Sequence, residues 1–138
     1  MFNKRTLLFS SANILGFFLI ISMAFADTNK VEGKWILESI KSELVPEAVS
    51  LTIEFTENQI TGLSGCNQYF GSYSIENENI SIGEISSTRK YCGRRLYELE
   101  VEYFSGLREA NFYKIEDEKL IVFKEKDCPY LLFQKVAL

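Results

Sequence analysis

Between positions 62 and 73 the chain reads Gly62-Leu63-Ser64-Gly65-Cys66-Asn67-Gln68-Tyr69-Phe70-Gly71-Ser72-Tyr73, and no other stretch restricts the fold as much. It holds three of the chain's eight glycines, which let a backbone take positive φ or pass close to other groups. Tyr69, Gly71, Tyr73 and Ile75 then recur at period two, the spacing of one face of a strand. The stretch therefore predicts a sharp corner feeding a strand. Asn67 tolerates left-handed backbone and bonds turn groups, so it is expected as a corner residue. Gly65 and Gly71 suit tight geometry or close approach within a curved sheet.

The rest of the chain repeats the strand period. Gly33-Lys34-Trp35-Ile36-Leu37-Glu38-Ser39-Ile40 reads as a first strand, with Trp35 and Leu37 on one face and Ile36 and Ile40 on the other. Trp35, the only tryptophan, is expected to plug one end of the core. Residues 41–50 include Pro46 and read as a loop. Leu51, Ile53 and Phe55 alternate with Thr52, Glu54 and Thr56, and Ile80, Ile82 and Ile85 mark a returning strand. From Arg94 the period changes. Leu96, Leu99, Tyr103 and Leu107 recur at three- and four-residue steps, with Glu98, Glu100, Glu102 and Arg108 on much of the other face. This predicts one amphipathic helix of about four turns, whose start lacks a strong cap. Alternation returns after Ala110, and a polar turn over 124–129 carrying Cys128 is expected before a last strand. The fold class is α+β and mainly antiparallel. The predicted architecture is a strongly curved or barrel-like meander of about seven to eight short strands with the helix packed on it.

The first 26 residues stand apart. Lys4 and Arg5 precede an uncharged run from Thr6 to Ala26 that ends in Ala24-Phe25-Ala26. This is the layout of a cleaved secretory signal, so residues 1–26 are expected to be removed and residues 27–138 to form one exported domain, periplasmic or secreted. An uncleaved run of that length would instead anchor the chain in a membrane. Cleavage leaves 13 basic against 19 acidic side chains, a formal charge of −6. That balance disfavours nucleic acid, which demands a basic footprint, and equally disfavours electrostatic docking on anionic lipid. The chain contains no histidine, which removes His-based acid–base catalysis, Ser-His-Asp and Cys-His machinery, and His-containing zinc sites. Three cysteines, Cys66, Cys92 and Cys128, suggest one disulfide and one leftover thiol, with three pairings open and an all-reduced state as the alternative.

A second tract, Ser86-Ser87-Thr88-Arg89-Lys90-Tyr91-Cys92, follows the glycine-rich one. The run Gly65-Cys66-Asn67-Gln68-Tyr69-Phe70-Gly71-Ser72-Tyr73, followed by Ser87-Thr88-Arg89 and Cys92, resembles the META domain of the HslJ-like heat-shock and envelope proteins. Trp35 and Leu37 near the start and the helix after Glu98 extend the resemblance over nearly the whole region past the signal. The resemblance implies a compact, mostly β fold and links to heat shock, antibiotic tolerance and the cell envelope, with no established set of catalytic residues. It also favours a Cys66–Cys92 disulfide, because both cysteines lie in the two family-like tracts. Such a loop of about 25 residues contributes on the order of 3 kcal/mol. Cys128 and the absence of a lipoprotein cysteine near residue 26 are departures from the family pattern.

The individual residues read mostly as structure. Thr88 is expected to bond free backbone groups ahead of the helix. Arg89 is expected either to pair with a carboxylate across its loop or to project as an interaction group. Tyr69, Tyr73 and Tyr91 could line a concave surface, though alternating aromatics more often form core or cross-strand pairs. The G-x-S-x-G spacing of a nucleophile elbow is not met around Ser64. Carboxylates fall in turns and on the helix face, as solvated surface. No catalytic residue, cofactor or metal is therefore assigned. The expected function is a monomeric, non-enzymatic envelope protein that binds an unknown protein or a small apolar ligand, or supports the envelope under stress. An apolar-ligand carrier with a barrel cavity and a secreted inhibitor or interaction module are the alternatives.

Overall fold

A computed structural model describes residues 30–137. The signal-like segment 1–26 lies outside the described residues. Nine strands and one helix follow in the order β1 (Gly33–Ile40), β2 (Glu43–Leu44), β3 (Thr52–Thr56), β4 (Gln59–Leu63), β5 (Gln68–Glu76), β6 (Asn79–Ser87), α1 (Arg94–Arg108), β7 (Phe112–Glu116), β8 (Lys119–Glu125) and β9 (Cys128–Lys135). Each sequential pair from β3 onward is antiparallel, and β1 also pairs with β9, so eight strands close into a ring. The two-residue β2 hangs from the end of β1. The predicted curved meander with one helix is the observed architecture, and closure removes the exposed edges that an open sheet would present.

Alternation puts one face of each strand inside. Trp35, Leu51, Ile53, Phe55, Ile60, Tyr69, Tyr103, Leu120, Leu131 and Phe133 fill the interior. Trp35 is fully buried, and its indole Nε1 donates to Val31 O at 2.8 Å, satisfying its one polar atom. Helix α1 lies against β6, β8 and β9 and buries Tyr103, Phe104, Gly106 and Leu107. The ring is thinnest between β6 and β7, which share a single register pair, Asn79 with Phe112.

Three local expectations are corrected. Ile40 is buried with Trp35 and Leu37, because the β1–β9 register slips between Leu37 and Ser39 and turns the end of β1 over. Residues 41–50 hold the short strand β2 within the expected loop. The expected turn over 124–129 shrinks to Lys126 and Asp127. Asp127 takes φ 64°, so the chain reverses in two residues and Cys128 already opens β9.

Candidate functional site

The two tracts meet on Asn67. Gly65, at φ 92°, turns the chain out of β4, and the Ser64 N–H donates to Asn67 O at 2.8 Å across the corner. Asn67 itself is buried and is not left-handed; the positive φ falls on Gly65 instead. Its amide is engaged at both ends. Oδ1 accepts from the Thr88 hydroxyl and from the Lys90 N–H, each at 2.8 Å. Nδ2 donates to Lys90 O at 3.1 Å and to the Glu100 carboxylate at 3.0 and 3.2 Å. Thr88 extends the clasp by accepting from the Gln68 N–H at 3.1 Å, while its own N–H donates to Gln68 O at 3.0 Å. Cys66 and Cys92 are joined by a disulfide one residue away from this network on the Asn67 side. Cys128 remains a free, exposed thiol.

Glu100 is the site residue that sequence reasoning missed. It was expected on the solvated helix face. Instead it is half-buried, and its carboxylate accepts from Asn67 and from the Ser64 hydroxyl. The signal was its position four residues after Leu96 and three before Tyr103, on the edge of the apolar stripe. Ser64 is buried at 1% exposure, so a serine beside a carboxylate is here a filled polar joint with no open face.

Behind the clasp lies a second buried polar group. The Tyr69 hydroxyl donates to Thr52 O at 2.7 Å and lies 2.7 Å from the Tyr103 hydroxyl, which also reaches Thr52 O at 3.2 Å. Burial pushes both phenols above the ordinary tyrosine range. Gly62 makes room for this arrangement: a Cβ there would sit 2.0 Å from Thr52 O. Gly71 allows similar close approach, since a Cβ would meet Glu84 O at 2.9 Å. Tyr73 is half-buried and packs edge-on against Phe55 with ring centroids 5.0 Å apart.

Of the sequence-derived candidates, the structure thus brings Gly65, Cys66, Asn67, Thr88 and Cys92 together. Tyr69, Tyr73 and Trp35 stand in the core, not at that joint. Arg89 is exposed and pairs with no carboxylate among the described residues. Tyr91 is also exposed, its ring tilted against that of Tyr97 with centroids 6.4 Å apart. No group of three or more acidic or cysteine side chains is placed to hold a metal among the described residues. A groove of about 590 Å³ runs over the outer face of the sheet, lined by Lys34, Glu54, Thr61, Leu63, Phe70 and Ser86 among others.

The sequence model of the META domain family matches residues 28–137. The chain belongs to the META domain family. Three solved structures share the fold. An NMR structure of a protein from Burkholderia xenovorans has a TM-score of 0.67 at 20% identity, covering 80% of this chain and 86% of that one. A second NMR structure of a protein has a TM-score of 0.61 at 21% identity, covering 76% and 90%. A crystal structure of a DUF4847 family protein from Bacteroides vulgatus has a TM-score of 0.54 at 15% identity, covering 75% and 92%. At these identities the likeness is one of fold. Among curated proteins, none matches. No helix of the described META domain is long and apolar enough to cross a membrane.

Proposed function

We propose that this META domain protein is exported to the periplasm or cell envelope, where it acts by binding or by supporting the envelope under stress, and not as an enzyme. The observation that carries the reading is the state of Asn67. Asn67 is buried and every polar atom of its amide is bonded to the Thr88–Lys90 tract or to Glu100, so the motif works as a clasp between the β4–β5 corner and the start of α1. A disulfide beside that clasp suits an oxidising compartment, and the signal-like run at 1–26 supplies the route. Of the alternatives, the apolar-ligand carrier finds the barrel interior occupied by Trp35, Phe55, Tyr103, Phe104 and Phe133. The interaction module keeps one observation in its favour, an exposed Arg89 with no carboxylate partner among the described residues.

Expression of the full chain from its own N-terminus, followed by fractionation and a non-reducing peptide map, tests the reading. We expect a mature chain beginning at Asp27 in the exported fraction, with Cys66 linked to Cys92 and Cys128 alkylated. Retention in the cytoplasm with three alkylatable thiols would overturn it. Enzymatic turnover abolished by Ser64→Ala with the fold intact would overturn the non-enzymatic part.

A further inference from the structure

The acidic chain has one basic edge. Arg89, Lys90, Arg94 and Arg95 fall within seven residues, and no acidic residue occurs between Glu84 and Glu98. All four are exposed. The carboxylates of the adjoining helix do little to offset them. Glu98 is taken by Arg94, whose Nε lies 3.0 Å away. Glu100 is turned inward onto Asn67 and Ser64, and Glu102 is paired with Lys41 at 3.2 Å. Arg89, Lys90 and Arg95 are therefore left without a carboxylate partner among the described residues.

Two further features lie on the same edge. Tyr91 and Tyr97 are 71% and 57% exposed and lie side by side with their rings tilted 53° to each other, and Val101 is 49% exposed one helical turn beyond Tyr97. Tyrosines with an apolar body and a wet hydroxyl are the residues that settle at membrane–water interfaces. The first turn of α1 carries no acidic residue and no side-chain cap, and opens on two arginines. Cations there oppose the helix dipole, a placement that a facing anionic surface would turn favourable. The overall negative charge does not prevent this, because fields are screened within about 8 Å at physiological ionic strength and only the local charges are felt.

We propose that the edge over residues 89–97 docks on an anionic phospholipid surface. Arg89, Lys90 and Arg95 meet the headgroup phosphates, and the Tyr91–Tyr97 pair lies at headgroup depth. The clasp at Asn67 and the Cys66–Cys92 disulfide hold this edge in shape from behind. The proposal rests on the exported reading only for where such a surface is met. Vesicle binding is measured without export, so its failure leaves the localisation untouched.

The test is co-sedimentation of the full chain with vesicles of phosphatidylcholine alone and of phosphatidylcholine mixed with phosphatidylglycerol. The N-terminal apolar run, with Lys4 and Arg5, is common to every arm, so the readout is how the anionic-to-zwitterionic partition ratio changes between variants. Each basic side chain near such a surface is worth about a fivefold gain in partition. Arg89→Gln/Lys90→Gln/Arg95→Gln is thus expected to lower the ratio by roughly 100-fold. Lys114→Gln/Lys126→Gln, elsewhere on the barrel, is expected to leave the ratio unchanged. Tyr91→Ala/Tyr97→Ala is expected to weaken binding to both lipid mixtures. A triple variant that keeps the wild-type ratio, with disulfide and circular dichroism intact, would overturn the proposal. So would a patch-dependent gain seen with soluble polyphosphate and absent on vesicles, or a protein captured through the patch while the lipid ratio stays fixed.

Discussion

Asn67 has four neighbours that water would otherwise have to satisfy: the Thr88 hydroxyl, the Lys90 N–H, the Lys90 carbonyl and the Glu100 carboxylate. Truncation leaves these groups partly buried and unpaired, and each such loss costs about 1–3 kcal/mol when water cannot replace it. The edge beside Lys90 is open, so water will restore some of them. Asn67→Ala is expected to destabilise the protein by about 2–4 kcal/mol, read as a lower urea midpoint with an unchanged slope. An unchanged midpoint would mean that the clasp is decorative. The tyrosine pair makes a prediction of a different kind. Burial holds the protons on Tyr69 and Tyr103 more tightly in the folded chain than in the unfolded one. Their contribution is therefore complete below about pH 10 and is lost as pH rises further, by about 1.4 kcal/mol per pH unit for each tyrosine. Tyr103→Phe should be less stable than wild type near neutrality, yet lose stability less steeply in alkali. Denaturation curves taken across the alkaline range check this, and two parallel pH profiles would sink it.

At the scale of elements, packing decides where propensity alone would mislead. Gly106 lies inside α1, where alanine is ordinarily better by about 1 kcal/mol. A Cβ there would lie 2.8 Å from the Tyr130 ring and 3.0 Å from Leu131, on β9, and overpacking of that sort costs about 1–3 kcal/mol. We expect Gly106→Ala to be destabilising by about 1 kcal/mol, measurable by thermal or urea unfolding, and a more stable variant would show that α1 rides loosely on the sheet. The same contrast sets what was legible. Strand alternation in β3, β5 and β6 and the three–four spacing of α1 are written in the chain, because each needs only one buried face. The inward turn of Ile40 is not, since the slip in register depends on where β9 arrives from the far end of the chain. Cys128 looked like part of a turn because Lys126, Asp127 and Pro129 surround it. Pro129 is accommodated where the β8–β9 register is irregular, so the strand begins earlier than composition suggests. Glu100 was hidden for a related reason: a carboxylate on an apolar stripe reads as surface until its partner, 33 residues away, is known.

For the whole molecule, the meeting of β1 with β9 closes the ring, and it unites the two ends of the described chain through five register pairs. The opposite side is weaker. There β6 and β7 share the Asn79–Phe112 pair, flanked by the Ile80 N–H to Asn111 O and the Tyr113 N–H to Glu78 O, each at 3.0 Å. Helix α1 packs on β6, one side of this seam, and the Asn67 clasp with its disulfide fixes the start of α1. Opening should therefore begin at the seam, well below the free energy of global unfolding. In native-state hydrogen exchange, the amides of Ile80 and Tyr113 are expected to exchange faster than those of Phe55 and Val122, residues each in register with a partner on both neighbouring strands. Reducing Cys66–Cys92 releases a loop of about 25 residues and should cost on the order of 3 kcal/mol of global stability. If the clasp governs the seam, reduction will also speed exchange at Ile80 and Tyr113 while the β8–β9 amides keep their rank as the slowest. A uniform loss of protection across all strands would instead mean that the ring opens as one unit and that the helix has no separate hold on it.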